Sequence, residues 1–187
     1  MLGRLVVPGF VALLSCAGCS TIGSGVRMEE ERDIEAFTEL DVRGSVNVVV
    51  HSGSAPSARV VGDDNLVPRV RTELHGEQLQ VYVDGSYATS NPLTVFLTTP
   101  SLREIDLSGS SAVQADGLSD DSFVFEVSGS GKLTAVGKGK TLKANVSGSG
   151  EIDAIALPVA DANVKVSGSG RVKSTATSSL TADVSGS

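Results

Sequence analysis

Tryptophan is absent, and aromatic residues make up only 4% of the chain. A core built here cannot rest on large rings. Val, Leu, Ile and Ala must fill it, which suits thin stacked layers. Cysteine is confined to Cys16 and Cys19. The rest of the chain therefore has neither a disulfide framework nor a thiolate metal site. Cys16-Ala17-Gly18-Cys19 has the spacing of a redox pair, but no helical context surrounds it. Positive charge is also short: 15 Lys and Arg stand against 22 Asp and Glu, a formal net charge of -7. Such a surface disfavours nucleic acid, whose phosphates need cationic neutralisation, and it disfavours anionic lipid. Only two histidines occur, His51 and His75, each beside a predicted turn and without a sequence-visible partner. No segment sustains a helical period, and no apolar run is long enough to span a bilayer.

The longest apolar run, Leu5 to Leu14, follows Arg4 and is interrupted by Pro8 and Gly9. Small residues then precede Cys19. This is signal-peptide anatomy. A Cys directly after Ala17-Gly18 resembles a bacterial lipoprotein signal, in which the thiol takes a diacylglycerol and cleavage leaves that Cys first. Cys19 is the expected lipidation site, with Cys16, after Leu13-Leu14-Ser15, as the alternative. Residues 1–18 are read as signal peptide, 19–33 as anchor and linker, and 34–187 as one domain. Ser20, after the lipid site, resembles the sorting residue of outer-membrane lipoproteins where an outer membrane exists.

From residue 34 the chain reads as short strands punctuated by turns. Leu40 and Val42, then Val46, Val48 and Val50, alternate on either side of Gly44-Ser45. Later a phrase returns: Val127-Ser128-Gly129-Ser130-Gly131, then Val146 to Gly150 and Val166 to Gly170. A looser copy starts at Leu107 and a shortened one at Val184. The steps between these positions are 20, 19, 20 and 18 residues. A fixed period near this length marks a stacked-repeat fold. The residues before each phrase alternate in phase: Phe123, Phe125, Val127; Leu142, Ala144, Val146; Ala162, Val164, Val166; Leu180, Ala182, Val184. After each bend Val113, Leu133, Ile152 and Val172 recur. A flexible Gly/Ser linker would not keep this phase.

Two architectures fit: an array of antiparallel hairpins, and a parallel β-helix in which each repeat pairs with the next. The constant offset favours the β-helix. The phrase is then a corner, with glycine supplying positive φ or close approach and the serine hydroxyls bonding backbone left free by the bend.

No catalytic constellation stands out. Ser128, Ser147 and Ser167 are repeated equivalents, whereas a nucleophile is normally unique. The bends lack the Asp of calcium-binding nonapeptide repeats. No catalytic, cofactor-binding or metal-ligating residue is therefore expected, and no cofactor. The best candidate column is Asp106, Glu126, Asn145 and Lys165, each just before the inward Val or Leu. Lys132, Glu151 and Arg171, just past successive bends, are further candidate contact residues.

Phe37-Thr38-Glu39-Leu40-Asp41-Val42-Arg43-Gly44-Ser45-Val46, Asp63-Asp64-Asn65-Leu66-Val67-Pro68, Pro100-Ser101-Leu102-Arg103 and the repeated phrase together resemble a bacterial family. It is the "putative auto-transporter adhesin head", or GIN, domain, a domain of unknown function. The resemblance runs from about residue 33 to the end. It implies a single-stranded right-handed parallel β-helix and carries no catalytic residues. The phrase breaks off at Ser187, so a missing rung or two at the C-terminus is expected, and fraying from Leu180 if Ser187 is the true end. The expected function is an exported, lipid-anchored, non-catalytic solenoid. It would serve as an adhesin or as a cell-envelope binding or structural module facing outside the cytoplasm. Its partners would be the membrane and an envelope, glycan or protein ligand, and not nucleic acid. The alternative is a carbohydrate-active β-helix enzyme, hydrolase or lyase.

Overall fold

The computed structural model describes residues 20–186; Cys16, Cys19 and the expected signal peptide lie outside the described residues. In chain order the strands are β1 (Thr21–Ile22), β2 (Arg27–Arg32), β3 (Glu39–Gly44), β4 (Asn47–Ser52), β5 (Ser57–Asp63), β6 (Val70–His75), β7 (Gln78–Val83) and β8 (Tyr87–Ala88). They continue as β9 (Thr94–Thr99), β10 (Glu104–Gly109), β11 (Ala112–Leu118), β12 (Ser122–Gly129), β13 (Lys132–Gly137), β14 (Thr141–Gly148), β15 (Glu151–Gly168) and β16 (Arg171–Gly186). One 3-10 turn, Val67–Arg69, interrupts this all-β fold.

The pairing makes two ladders. One runs β6, β7, β3, β10, β12, β14 and the second half of β15. The other runs β2, β5, β9, β4, β11, β13 and the first half of β15. β15 belongs to both, so they form one long, mostly parallel sheet, and β16 pairs along β15. In the repeat region Leu107 pairs with Val127, Val127 with Val146, Val146 with Val166 and Val166 with Val184, all parallel. Equivalent residues of successive repeats are thus direct neighbours, which rejects the hairpin array. Among the described residues, antiparallel pairs are confined to β2 with β5, β5 with β9 and β6 with β7, at one end of the ladders. They cover edges that would otherwise be open to pairing.

Stacking order departs from chain order. β7 lies on β3, and β9 on β4, on the side away from β10 and β11. The chain must therefore pass β3 and β4 between β9 and β10. Thr99 holds this passage: its buried Oγ1 donates to the Phe37 carbonyl at 2.6 Å and accepts from the Phe37 N–H at 3.2 Å. The Arg103 N–H donates to the Thr38 carbonyl at 2.8 Å.

Residues 21–32, expected to be tether and linker, are built into the fold. Thr21–Ile22 pairs with β8, and Arg27–Arg32 pairs antiparallel with β5. Met28 packs on the core, and the Arg32 guanidinium donates to the carbonyls of Val70 and Val67 at 2.7 and 3.1 Å. Alternation of Met28, Glu30 and Arg32 was hidden in the sequence by the dense charge around them.

The aliphatic core matches the phase read from the sequence. Phe123, Phe125, Val127, Leu142, Ala144 and Val146 are all buried, as are Val113, Leu133 and Ile152. In one column a large ring is offset by a small neighbour: Phe125 lies between Ile105 and Ala144. The columns end at β16, where Leu180 and Val184 are 59% and 66% exposed. Leu180 to Gly186, expected to fray if Ser187 is the end, pair in register with Ala162 to Gly168.

Each Val-Ser-Gly-Ser-Gly phrase is a corner between the ladders. Its first glycine has positive φ: 111° at Gly129, 107° at Gly148 and 111° at Gly168. These glycines stack directly, and a Cβ on Gly148 would stand 2.7 Å from the Gly129 carbonyl oxygen. The second glycine has a different reason. A Cβ on Gly150 would meet Val127 Cγ1 at 2.5 Å. The bends are bonded main chain to main chain, as in Ser130 N–H to Gly109 O at 2.9 Å and Ser149 N–H to Gly129 O at 2.8 Å. The expected serine hydroxyl bonds do not carry the corners. Ser111 is the exception, buried where later copies have glycine, with its hydroxyl donating to the Gly44 carbonyl at 3.2 Å.

Candidate functional site

Parallel register converts single exposed residues into columns, because successive strands lie about 4.8 Å apart. On the outer face of the first ladder, Asp41, Asp106, Glu126, Asn145 and Lys165 stand in register. The structure therefore brings the four sequence-predicted residues together and adds Asp41. A second outer column adds Glu39 and Glu104. Five carboxylates share this region.

They are not equally compensated. Asp41 accepts from Arg43 Nη2 at 2.6 Å and from Gln80 Nε2 at 3.1 Å. Glu126 accepts from Asn145 Nδ2 at 2.8 Å. Asp106 has no such donor, and its Oδ1 is buried without a hydrogen-bond partner. Burial, and then the charges of Glu104, Glu126, Asp41 and Glu39, push its carboxyl up to about 6. Desolvation and like charge both penalise the ionised form.

A raised carboxyl holds its proton more tightly in the folded state. Asp106 therefore withdraws stability as pH rises from its ordinary value of 3.8 through about 6, and the penalty is complete above that. Asp106→Asn is expected to raise stability at pH 7 by about 1 kcal/mol, discounted from the full shift because water still reaches the group. Urea unfolding at pH 7 and pH 4 checks this: the gain should shrink toward zero at the lower pH. An equal gain at both would contradict it.

On the other ladder, Lys132, Glu151 and Arg171 also stand in register. Lys173 Nζ lies 2.6 Å from Glu151 and 3.4 Å from Asp153. The Lys173 hydrogen bond, ahead of the surrounding cations, holds the Glu151 carboxyl below its usual range. This is a salt-linked outer face, contributing little stability at each exposed pair. His51 and His75 are exposed, with their ring nitrogens 3.6 Å from Asp116 and 3.7 Å from Glu73. Among the described residues no group of three or more His, Cys, Asp or Glu is arranged to hold a metal ion.

Sequence reasoning missed a polar hub at the antiparallel end. Asp63 is 1% exposed and accepts from Thr89 Oγ1 and Asn91 Nδ2, each at 2.6 Å. Those hydrogen bonds, Thr89 first, hold its carboxyl below the ordinary value. Neighbouring Asn65 bonds the leading segment: its Oδ1 accepts from Ser24 N–H at 3.0 Å and its Nδ2 donates to Ile22 O at 2.8 Å. The Asp63-Asp64-Asn65 run was legible as a loop, but not as a clamp.

Among curated proteins none matches the chain. Solved structures do. A "putative adhesin" from Bacteroides fragilis superposes with a TM-score of 0.69 at 17% identity, covering 89% of each chain. A "putative lipid binding protein" from Parabacteroides distasonis gives a TM-score of 0.50 at 18% identity, over 90% of this chain and 97% of its own. A "putative adhesin" from the same species gives 0.50 at 15% identity, over 90% and 98%. At these identities the likeness is one of fold. The family model described as "Putative auto-transporter adhesin, head GIN domain" matches residues 36–187, the whole run of stacked strands from Phe37 to the last corner. The chain belongs to that GIN-domain family.

Proposed function

We propose that this chain is an exported, lipid-anchored β-solenoid that acts without catalysis, as an adhesin or as a binding or structural module of the cell envelope. Its strands would wind as a single-stranded right-handed helix, two corners to a turn. The observation that carries the reading is the register itself. Parallel stacking turns the repeated phrase into a rigid scaffold and the residues between into ordered outer columns. The motif serines recur on successive rungs from Ser108 to Ser185, as a scaffold requires and a nucleophile does not. Lys132, Glu151 and Arg171 are the proposed contact column, facing an envelope, glycan or protein ligand. A glycan and envelope-component array should show a partner whose binding is lost in the Lys132→Ala, Glu151→Ala, Arg171→Ala triple variant while its melting temperature holds. No partner on any array would favour a purely structural spacer.

Anchoring rests on Cys19, with the body facing outside the cytoplasm and at the outer membrane where one exists. Radiolabelled palmitate should enter the protein and vanish in Cys19→Ser; label that persists would move the site to Cys16.

One observation favours a second reading, a carbohydrate-active hydrolase or lyase. Asp106, a carboxyl raised to about 6, stands in register beside Glu126, and paired carboxylates serve acid–base chemistry on sugars. Cleavage in a polysaccharide screen, abolished in Asp106→Asn or Glu126→Gln, would establish the enzyme.

A further inference from the structure

The first described residues form a clamped apolar foot. Thr21 N–H donates to Ser86 O at 3.0 Å and Gly23 N–H to Ala88 O at 2.8 Å. Asn65 holds Ser24 and Ile22 from the other side. Gly23 is packed so closely that a Cβ would fall 1.8 Å from Asp63 Oδ2. This segment therefore cannot swing freely. Yet it carries two aliphatic side chains turned to solvent, Ile22 at 76% and Val26 at 58% exposure. A large apolar side chain left in water on a fixed backbone forgoes the free energy of burial.

Ile22 lies three residues after Cys19. With a lipid on Cys19, only Ser20 separates the anchor from β1, and two residues reach at most about 7 Å. The clamped segment is then held at the bilayer surface, with no linker to lift the body away.

We propose that Ile22 and Val26 seat the body on the membrane. They bury in the interfacial region of a zwitterionic bilayer beside the Cys19 acyl chains, and β16 lies at the far end, directed away. This rests on the anchoring reading and adds an orientation to it. A zwitterionic surface suits a chain whose net charge of -7 becomes -8 (14 Lys and Arg against 22 Asp and Glu) once Arg4 leaves with the signal, and which anionic headgroups would repel. From β9 to β16 the second ladder climbs five strand steps through β4, β11, β13 and β15. That places the last strand roughly 24 Å further from the bilayer.

The absence of tryptophan gives a clean test, since any introduced Trp is the only one. The lipidated full chain, carrying Ile22→Trp, Val26→Trp or Val184→Trp, is reconstituted into phosphatidylcholine vesicles with brominated acyl chains. All three positions are exposed, and two foot reporters guard against one that misfolds. The expected result is blue-shifted emission, mostly lost to bromine quenching, from positions 22 and 26, with unquenched emission from position 184. Vesicle-bound protein with unquenched emission at 22 and 26 would overturn the seating while leaving the anchor intact. Quenching at all three would overturn the end-on orientation. Protein that does not cofloat with vesicles would overturn the anchoring, and the seating with it.

Discussion

Gly148→Ala should lower stability by about 3–4 kcal/mol, a large share of what holds a domain of this kind folded. Two penalties act at once. With φ at 107°, any L side chain is strained, at about 1–2 kcal/mol. The new Cβ also stands 2.7 Å from the Gly129 carbonyl oxygen, which is backbone and cannot turn aside. Relieving that contact means prising the parallel strands β12 and β14 apart at their corner, an overpacking cost of about 1–3 kcal/mol. Gly76→Ala separates the two penalties. Its φ is 66°, but nothing lies within 4 Å of the added Cβ, so strain alone should cost about 1 kcal/mol. Urea midpoints of the two variants measure the difference. Equal losses would mean that the glycines do not stack.

Phe125→Ala should cost a comparable amount, about 3–5 kcal/mol. The ring is fully buried, 5.8 Å from that of Phe123, and lies between Ile105 and Ala144 in adjacent layers. Its neighbours Phe123 and Ile105 are themselves fully buried. The facing alanine cannot fill the cavity. Val184→Ala removes an aliphatic residue from the last layer, where it is 66% exposed, and should change stability by less than about 0.5 kcal/mol. The denaturant slope should be unchanged in both, marking a loss of stability and not of compactness.

The repeat region was legible because alternation and period agree there. Val127, Val146, Val166 and Val184 occupy one column by spacing alone, and the structure pairs them. The earlier strands were not legible to the same depth. Val42-Arg43-Gly44 joins the same column as Leu107-Ser108-Gly109, but β5 to β9 lie between them and break the period. The inversion that slides β7 and β9 beneath β3 and β4 leaves no local mark, since it lies in pairings between strands far apart in the chain. The candidate column divides in the same way. Its members were visible from phase, whereas the isolation of Asp106 was not. That follows from Glu39, Asp41, Glu104 and Glu126 converging from three strands, with Arg43 and Asn145 engaged elsewhere.

Parallel, in-register stacking of the repeats is the claim on which scaffold, columns and foot all rest. It is tested most directly by cross-linking the double variant Ser128→Cys, Ser147→Cys with Cys16 and Cys19 replaced by serine. Ser128 and Ser147 are exposed register partners on β12 and β14. Their Cα atoms lie about 4.8 Å apart, within disulfide reach. A disulfide should form on mild oxidation and leave the chain monomeric. In a hairpin array the same residues would sit two strands apart, roughly 9.6 Å, beyond bridging. Two thiols that stay free and open to alkylation would contradict the stacked fold.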